Sequence, residues 1–98
     1  MARPLGEFEL LVLLALRAGR GEAYGYAIQM ALAIRARREV SLGTICKTLH
    51  RLEARGLARS RLGTARPQPG GRRRKHYAIT QAGLEALVAA LEGIERLL

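Results

Sequence analysis

Apolar residues recur at three- and four-residue spacing in four stretches of this chain, the signature of helices that each turn one face to a core. In the first, Leu5–Ala18, Leu5, Phe8, Leu11, Val12, Ala15 and Leu16 fall on one side, while Leu10, Leu13 and Leu14 make the second half apolar nearly all round. Such a helix needs cover on more than one face. The rest of a monomer could supply it, but in a chain of 98 residues a second subunit is the preferred source. Glycines mark Gly19-Arg-Gly-Glu22 as a loop. A second helix is expected over Ala23–Ala36, carrying Tyr24, Ala27, Ile28, Ala31, Leu32 and Ile34 at roughly helical spacing, and Arg37–Val40 is a linker or a very short strand.

The third stretch, Ser41–Leu57, has two faces. Leu42, Ile45, Leu49 and Leu52 form a core stripe, and Thr44, Lys47, Thr48, Arg51 and Arg55 form a polar one. Ser41 stands where an N-cap hydroxyl belongs, and Gly56 stands where the chain leaves in a left-handed turn. The period then shortens to two. Ala58–Leu62 alternates as a half-exposed strand does, and Arg74–Ile79 can pair with it around a tip rich in glycine, proline and arginine. Thr80 caps a last helix, Gln81–Leu98, whose stripe of Leu84, Leu87, Val88, Leu91, Ile94 and Leu98 runs to the end of the chain. That helix outruns what a small core needs, so its overhang calls for the first helix or for its own copy across a two-fold axis.

These elements make a mainly α fold with a small β-hairpin, a winged helix-turn-helix followed by a C-terminal dimerisation helix. The expected division is a DNA-binding domain over 1–79, with a recognition helix at 42–55 and a wing at 58–79, and a dimerisation helix over 80–98.

Charge sharpens the picture. The formal net charge is +9, and from Ala54 to Leu84 there are many arginines and no Asp or Glu. An unbalanced positive field beside an amphipathic helix is the footprint of a phosphate-binding surface. The residues expected to meet DNA are Thr44, Lys47, Thr48 and Arg51 on the helix, with Ser41 at its start, Tyr24 from the second helix, and Arg72, Arg73, Arg74 and Lys75 on the wing. The plainer alternatives are a solvated helix face and an arginine-rich loop that only aids solubility. No apolar run approaches the roughly 20 residues of a membrane span, and Gly6, Glu7 and Glu9 interrupt any secretory apolar segment. A cytoplasmic location is expected, without membrane attachment.

Five stretches carry a family resemblance: Leu5-Gly-Glu-Phe-Glu9, Ala23-Tyr-Gly-Tyr-Ala-Ile28, Val40-Ser-Leu-Gly-Thr-Ile45, Leu49-His-Arg-Leu-Glu-Ala-Arg-Gly-Leu57, and Gly70-Gly-Arg-Arg-Arg-Lys-His-Tyr-Ala-Ile-Thr-Gln-Ala-Gly83. Together they resemble PadR-like transcriptional regulators, through nearly the whole chain and in the family's order. The resemblance implies a homodimeric repressor that binds double-stranded DNA at an inverted-repeat operator, with the last helix of each subunit packed on the first helix of the other. Carried over, the recognition helix is Leu42–Arg55 and the wing Leu62–His76. The dimer interface implied comprises Leu5, Phe8, Leu10, Leu13 and Leu14 from the first helix and Leu84, Leu87, Val88, Leu91, Ile94 and Leu98 from the last. Members of the family often have tyrosine where this chain has Cys46, so a DNA contact from that position is not carried over. With room for a single C-terminal helix, the chain looks like the short branch of the family.

Other chemistry finds little support. His50 and His76 stand apart, no second Cys or His lies at metal-ligand spacing from Cys46, and no nucleophile or phosphate-loop motif is present, so no metal, cofactor or catalytic residue is expected. Cys46 admits a redox-sensing reading beside the plainer one of a small apolar residue. Three other functions stay open: a repressor switched by a small-molecule effector of unknown identity at the dimer interface, a non-specific architectural DNA binder, and a protein-interaction module.

Overall fold

The computed structural model describes residues 3–20, 22–63 and 75–98. Its elements are α1 (Glu7–Ala18), β1 (Glu22–Tyr24), α2 (Gly25–Arg35), α3 (Leu42–Ala54), β2 (Ala58–Leu62), β3 (Lys75–Ile79) and α4 (Gln81–Leu97). Both strand pairings are antiparallel and the sheet order is β1-β3-β2. The architecture is the expected winged helix-turn-helix with a C-terminal helix, enlarged by one strand.

That strand departs from the sequence reading, which began the second helix at Ala23. The pairings Glu22↔Ala78, Ala23↔Tyr77 and Tyr24↔His76 hold this segment against β3. A three-residue strand is too short to impose a two-residue period on the sequence, and the apolar spacing of α2 runs back through it. Helix α2 starts only after Tyr24, which keeps an extended φ/ψ of −84°/156° as its N-cap.

Local chemistry fixes the ends of the two helices that matter most for function. Ser41 Oγ accepts from Thr44 N–H at 3.2 Å at the start of α3, and Gly56, at φ +75°, takes the left-handed turn that ends it. At the start of α4, Thr80 Oγ1 accepts from Gly83 N–H at 3.0 Å while its own O–H donates to Gly56 O at 2.7 Å. The cap of the last helix is thus tied to the exit of the third. Gly83 makes this approach sterically feasible, since a Cβ there would stand 2.1 Å from the carbonyl oxygen of Leu57.

The core is one cluster: Val12, Leu13 and Leu16 from α1, Ile28 and Leu32 from α2, Ile45, Leu49 and Leu52 from α3, Leu57, Ala58 and Tyr77 from the sheet region, and Leu87 from α4. Burying a side chain of this size is worth roughly 1.5–3 kcal/mol each, and here the gain fixes α3 against α1, α2 and β2. A part-buried ion pair reinforces that docking. Arg55 at the C-cap of α3 donates to Glu9 Oε1 on α1 at 3.0 Å and also to the carbonyl of Arg3, while Glu9 Oε1 accepts the Gly6 N–H at 2.9 Å. Burial raises the Glu9 carboxyl, but the Gly6 N–H and the charges of Arg55 and Arg3 outweigh it and hold the group below its ordinary value.

Two residues assigned to the dimer interface from sequence are enclosed by the chain itself. Leu13 is 0% exposed and Leu87 is 1% exposed. The reason is that α4 folds back on α1 of its own chain, so the inner edge of each stripe is spent on the intrachain core. Leu5, Phe8, Leu10, Leu14 and Leu84 are half-buried, and Val88, Leu91, Ile94 and Leu98 are exposed. No described helix is long and apolar enough to cross a membrane.

Candidate nucleic-acid interface

Helix α3 turns Ile45, Leu49 and Leu52 into the core, which leaves its opposite face outward. Ser41, Thr44, Lys47 and Arg51 are all exposed on it, together with Cys46 and His50. Among the described residues, no ion pair engages Lys47, Arg51 or Lys75; the pairs present use Arg3, Arg38, Arg55 and Arg96. The polar stripe read from sequence therefore holds for Thr44, Lys47 and Arg51.

It does not hold for two residues. Thr48 is 3% exposed, and its hydroxyl donates back to Thr44 O at 2.9 Å, so it offers nothing to a groove. A threonine on the boundary between faces satisfies its hydroxyl one helical turn back when its methyl is drawn into the core. Arg55 is the other. Its guanidinium is committed to Glu9 and to the chain before α1, as described above. Conversely, Leu42, assigned to the core stripe, is 42% exposed.

Beside the outward face of α3 lies an open cleft of about 620 Å³, lined by Tyr24, Gly25, Tyr26, Leu42, Cys46, Lys47, His50, Lys75 and Tyr77. Four elements build it, β1, α2, α3 and β3. Strand alternation puts Lys75 and Tyr77 on the same side of β3, facing α3, and the turn from β1 into α2 brings the two tyrosines of that segment to the rim. Tyr24 is half-buried and meets the ring of His76 edge-on, with centroids 4.8 Å apart at 75°. Among the described residues the lining contains three basic side chains and no carboxylate.

The sequence reading anticipated Tyr24, Lys47 and Lys75 here and missed Leu42 and His50. Helical spacing carried a signal for both, because Leu42, Cys46 and His50 recur every four residues on one stripe. Arg72, Arg73 and Arg74 lie outside the described residues. Among the described residues there is no group of three side chains able to hold a metal ion.

Comparison with solved structures places this arrangement among known regulators. A PadR family transcription regulator from Clostridium difficile R20291 superposes with a TM-score of 0.78 at 26% identity, over 94% of this chain and 91% of that one. A PadR family transcriptional regulator from Eggerthella lenta DSM 2243 superposes with a TM-score of 0.74 at 31% identity, over 93% and 79%. Bacillus subtilis PadR, solved in complex with operator DNA, shares the fold with a TM-score of 0.76 at 22% identity, over 90% of this chain and 48% of that one. No curated protein matches the chain. The family described as "Transcriptional regulator PadR-like family" matches residues 12–89, from the first buried turn of α1 through the buried part of α4, and the chain therefore belongs to the PadR-like family of transcriptional regulators.

Proposed function

We propose that this regulator is a homodimeric repressor that binds an inverted-repeat operator in double-stranded DNA. The observation that carries the reading is the outward face of α3, where Thr44, Lys47 and Arg51 are exposed and the two cations have no ion pair among the described residues, while the opposite face is sealed into the core. The operator complex of the Bacillus subtilis relative supports the same use of the fold. In this reading α3 lies in the major groove, with Thr44 and Arg51 nearest the base edges and Lys47 on a flanking phosphate. Lys75 grips the backbone across the cleft, Tyr24 and Ser41 lie at its edge, and Arg72, Arg73 and Arg74 extend the grip from the wing. Residues 1–79 do the DNA binding, and 80–98 join two copies through Val88, Leu91, Ile94 and Leu98, assisted by Leu5, Phe8, Leu10, Leu14 and Leu84. Two α3 helices must then stand about 34 Å apart to meet successive major grooves. The work is binding and not catalysis, and its place is the cytoplasm, where a bacterial-type operator is read.

The test is binding of the purified protein to its own promoter and to random-sequence DNA across a salt series, with its mass in solution measured alongside. A dimer that prefers the promoter by about a thousandfold or more, the range of specific binders, is the expected result. A steep salt dependence with no preference would replace the repressor by an architectural DNA binder.

A further inference from the structure

Two apolar faces lie open on a single chain, and each has a charge set among its apolar residues. The first is a groove of about 420 Å³ between α1 and α2, where Leu11, Leu14, Ala18, Ala31 and Leu32 are joined by Arg17 and Arg35, with no carboxylate among the described lining. Both arginines are exposed, and neither has an ion pair among the described residues. Arg17 follows Leu14 by three residues and Leu10 by seven, so it shares their side of α1. The second face is the outer stripe of α4, where Val88, Leu91 and Ile94 are exposed. Glu95 follows Leu91 by four residues and Val88 by seven, which puts it inside the stripe. Its carboxylate is exposed and has no ion pair among the described residues, whereas the neighbouring Glu92 is paired with Arg96. Whatever covers this stripe must also enclose Glu95, and a carboxylate enclosed without a cation costs more than the apolar contact returns.

Charge decides which surface meets which. Helix α4 holds three glutamates and one arginine in a chain whose net charge is +9. Two α4 helices laid side by side would set carboxylate against carboxylate, but α4 laid in the groove sets Glu95 against Arg17 and Arg35.

We infer that the groove between α1 and α2 receives α4 of a second copy, and that Glu95 pairs there with Arg17 and Arg35 to fix the register and select the partner. Val88, Leu91 and Ile94 supply the apolar contact. A stripe without charge could slip by one helical turn, about 5.4 Å, at small cost. With one charge in each face, the same slip encloses both of them unpaired, and so does a partner that lacks the cations. Two-fold symmetry repeats the pairing twice in each dimer. The inference rests on the homodimer reading and adds which faces meet and what selects them.

The test uses two charge-reversed variants of the full chain, Glu95→Arg and the double change Arg17→Glu with Arg35→Glu, in sedimentation across a concentration series. Each variant alone sets like charges together at both halves of the interface, so its dimer dissociation constant should rise about a hundredfold or more. Mixed in equal amounts, the two should form a one-to-one heterodimer within about tenfold of wild-type strength, because every contact then joins opposite charges. Glu95→Gln, which only removes the charge, should weaken the dimer by about tenfold. Circular dichroism should show every variant folded, since none of the three side chains has an ion pair within its own chain among the described residues. Folded variants that dimerise separately as well as the wild type, or that stay apart when mixed, would overturn the inference and leave the homodimer standing. A wild-type chain that remains monomeric throughout would remove the homodimer reading and this inference with it.

Discussion

Single residues settle whether a side chain reads DNA or holds the fold, and the sequence could not always tell which. Thr48 and Arg55 sit at polar positions of the α3 pattern, yet one is folded onto its own helix and the other onto α1. Spacing gives the angle of a side chain around its helix but not the identity of what stands opposite. Glu9, 46 residues away in sequence, had no local mark as the partner of Arg55. Glu9→Gln should cost about 1–3 kcal/mol in urea unfolding, since the charged hydrogen bond is lost while the guanidinium stays part-buried. Its pH dependence has a definite sign. Because the folded carboxyl lies below its ordinary value of 4.5, its contribution is full above that value and is lost as pH falls through the lower folded value. The wild type should therefore lose more stability than the Gln variant in acid. Gly83→Ala tests the other tight spot. With a Cβ driven onto the Leu57 carbonyl, a loss of about 1–3 kcal/mol is expected in the same assay.

At the scale of elements, the helices were legible because each carries an apolar stripe, and α3 and α4 add a capping residue. Ser41, Gly56 and Thr80 mark the ends of α3 and α4 in the sequence as they do in the protein. The strand β1 was not legible, because its three residues owe their conformation to pairing with β3, more than 50 positions later. Caps also separate stability from recognition. Ser41→Ala removes the acceptor for Thr44 N–H and should cost about 1 kcal/mol of stability in thermal or urea unfolding. Across the cleft, Lys47→Ala on α3 and Lys75→Ala on β3 should each lower the slope of log affinity against log salt by about 0.9 for every phosphate released. A slope that does not change in either variant would remove the cleft from the DNA-binding surface.

For the molecule as a whole, the decisive quantity is what a single chain leaves uncovered. Its extents are 51 × 29 × 21 Å, and α4 carries Val88, Leu91, Ile94, Leu97 and Leu98 into solvent, the last two 90% and 98% exposed. The sequence leads one to expect a partner for this stripe, but Leu13 and Leu87, which were given to it, are enclosed by the chain itself, because periodicity cannot divide one apolar face between its own core and another subunit. Replacing Leu91 and Ile94 together by Asp should leave the monomer folded, as judged by circular dichroism. The same change should abolish the dimer in sedimentation and lower promoter affinity far more than it lowers affinity for a single half-site.

The lock between Gly83, Thr80 and the exit of α3 then acquires a mechanical meaning. The start of α4 is keyed to the backbone at Gly56 and Leu57, so a shift of α4 at that end is expected to reach the exit of α3 first. A 17-residue helix gives an arm of about 26 Å, so in the proposed dimer a 10° change of angle at α4 would swing its far end by about 4 Å. Half a helical turn of DNA is not needed to spoil the fit. A few ångströms of added span between the paired reading heads takes them out of phase with the duplex, and any molecule wedged between the two arms would work as a gearshift for transcription.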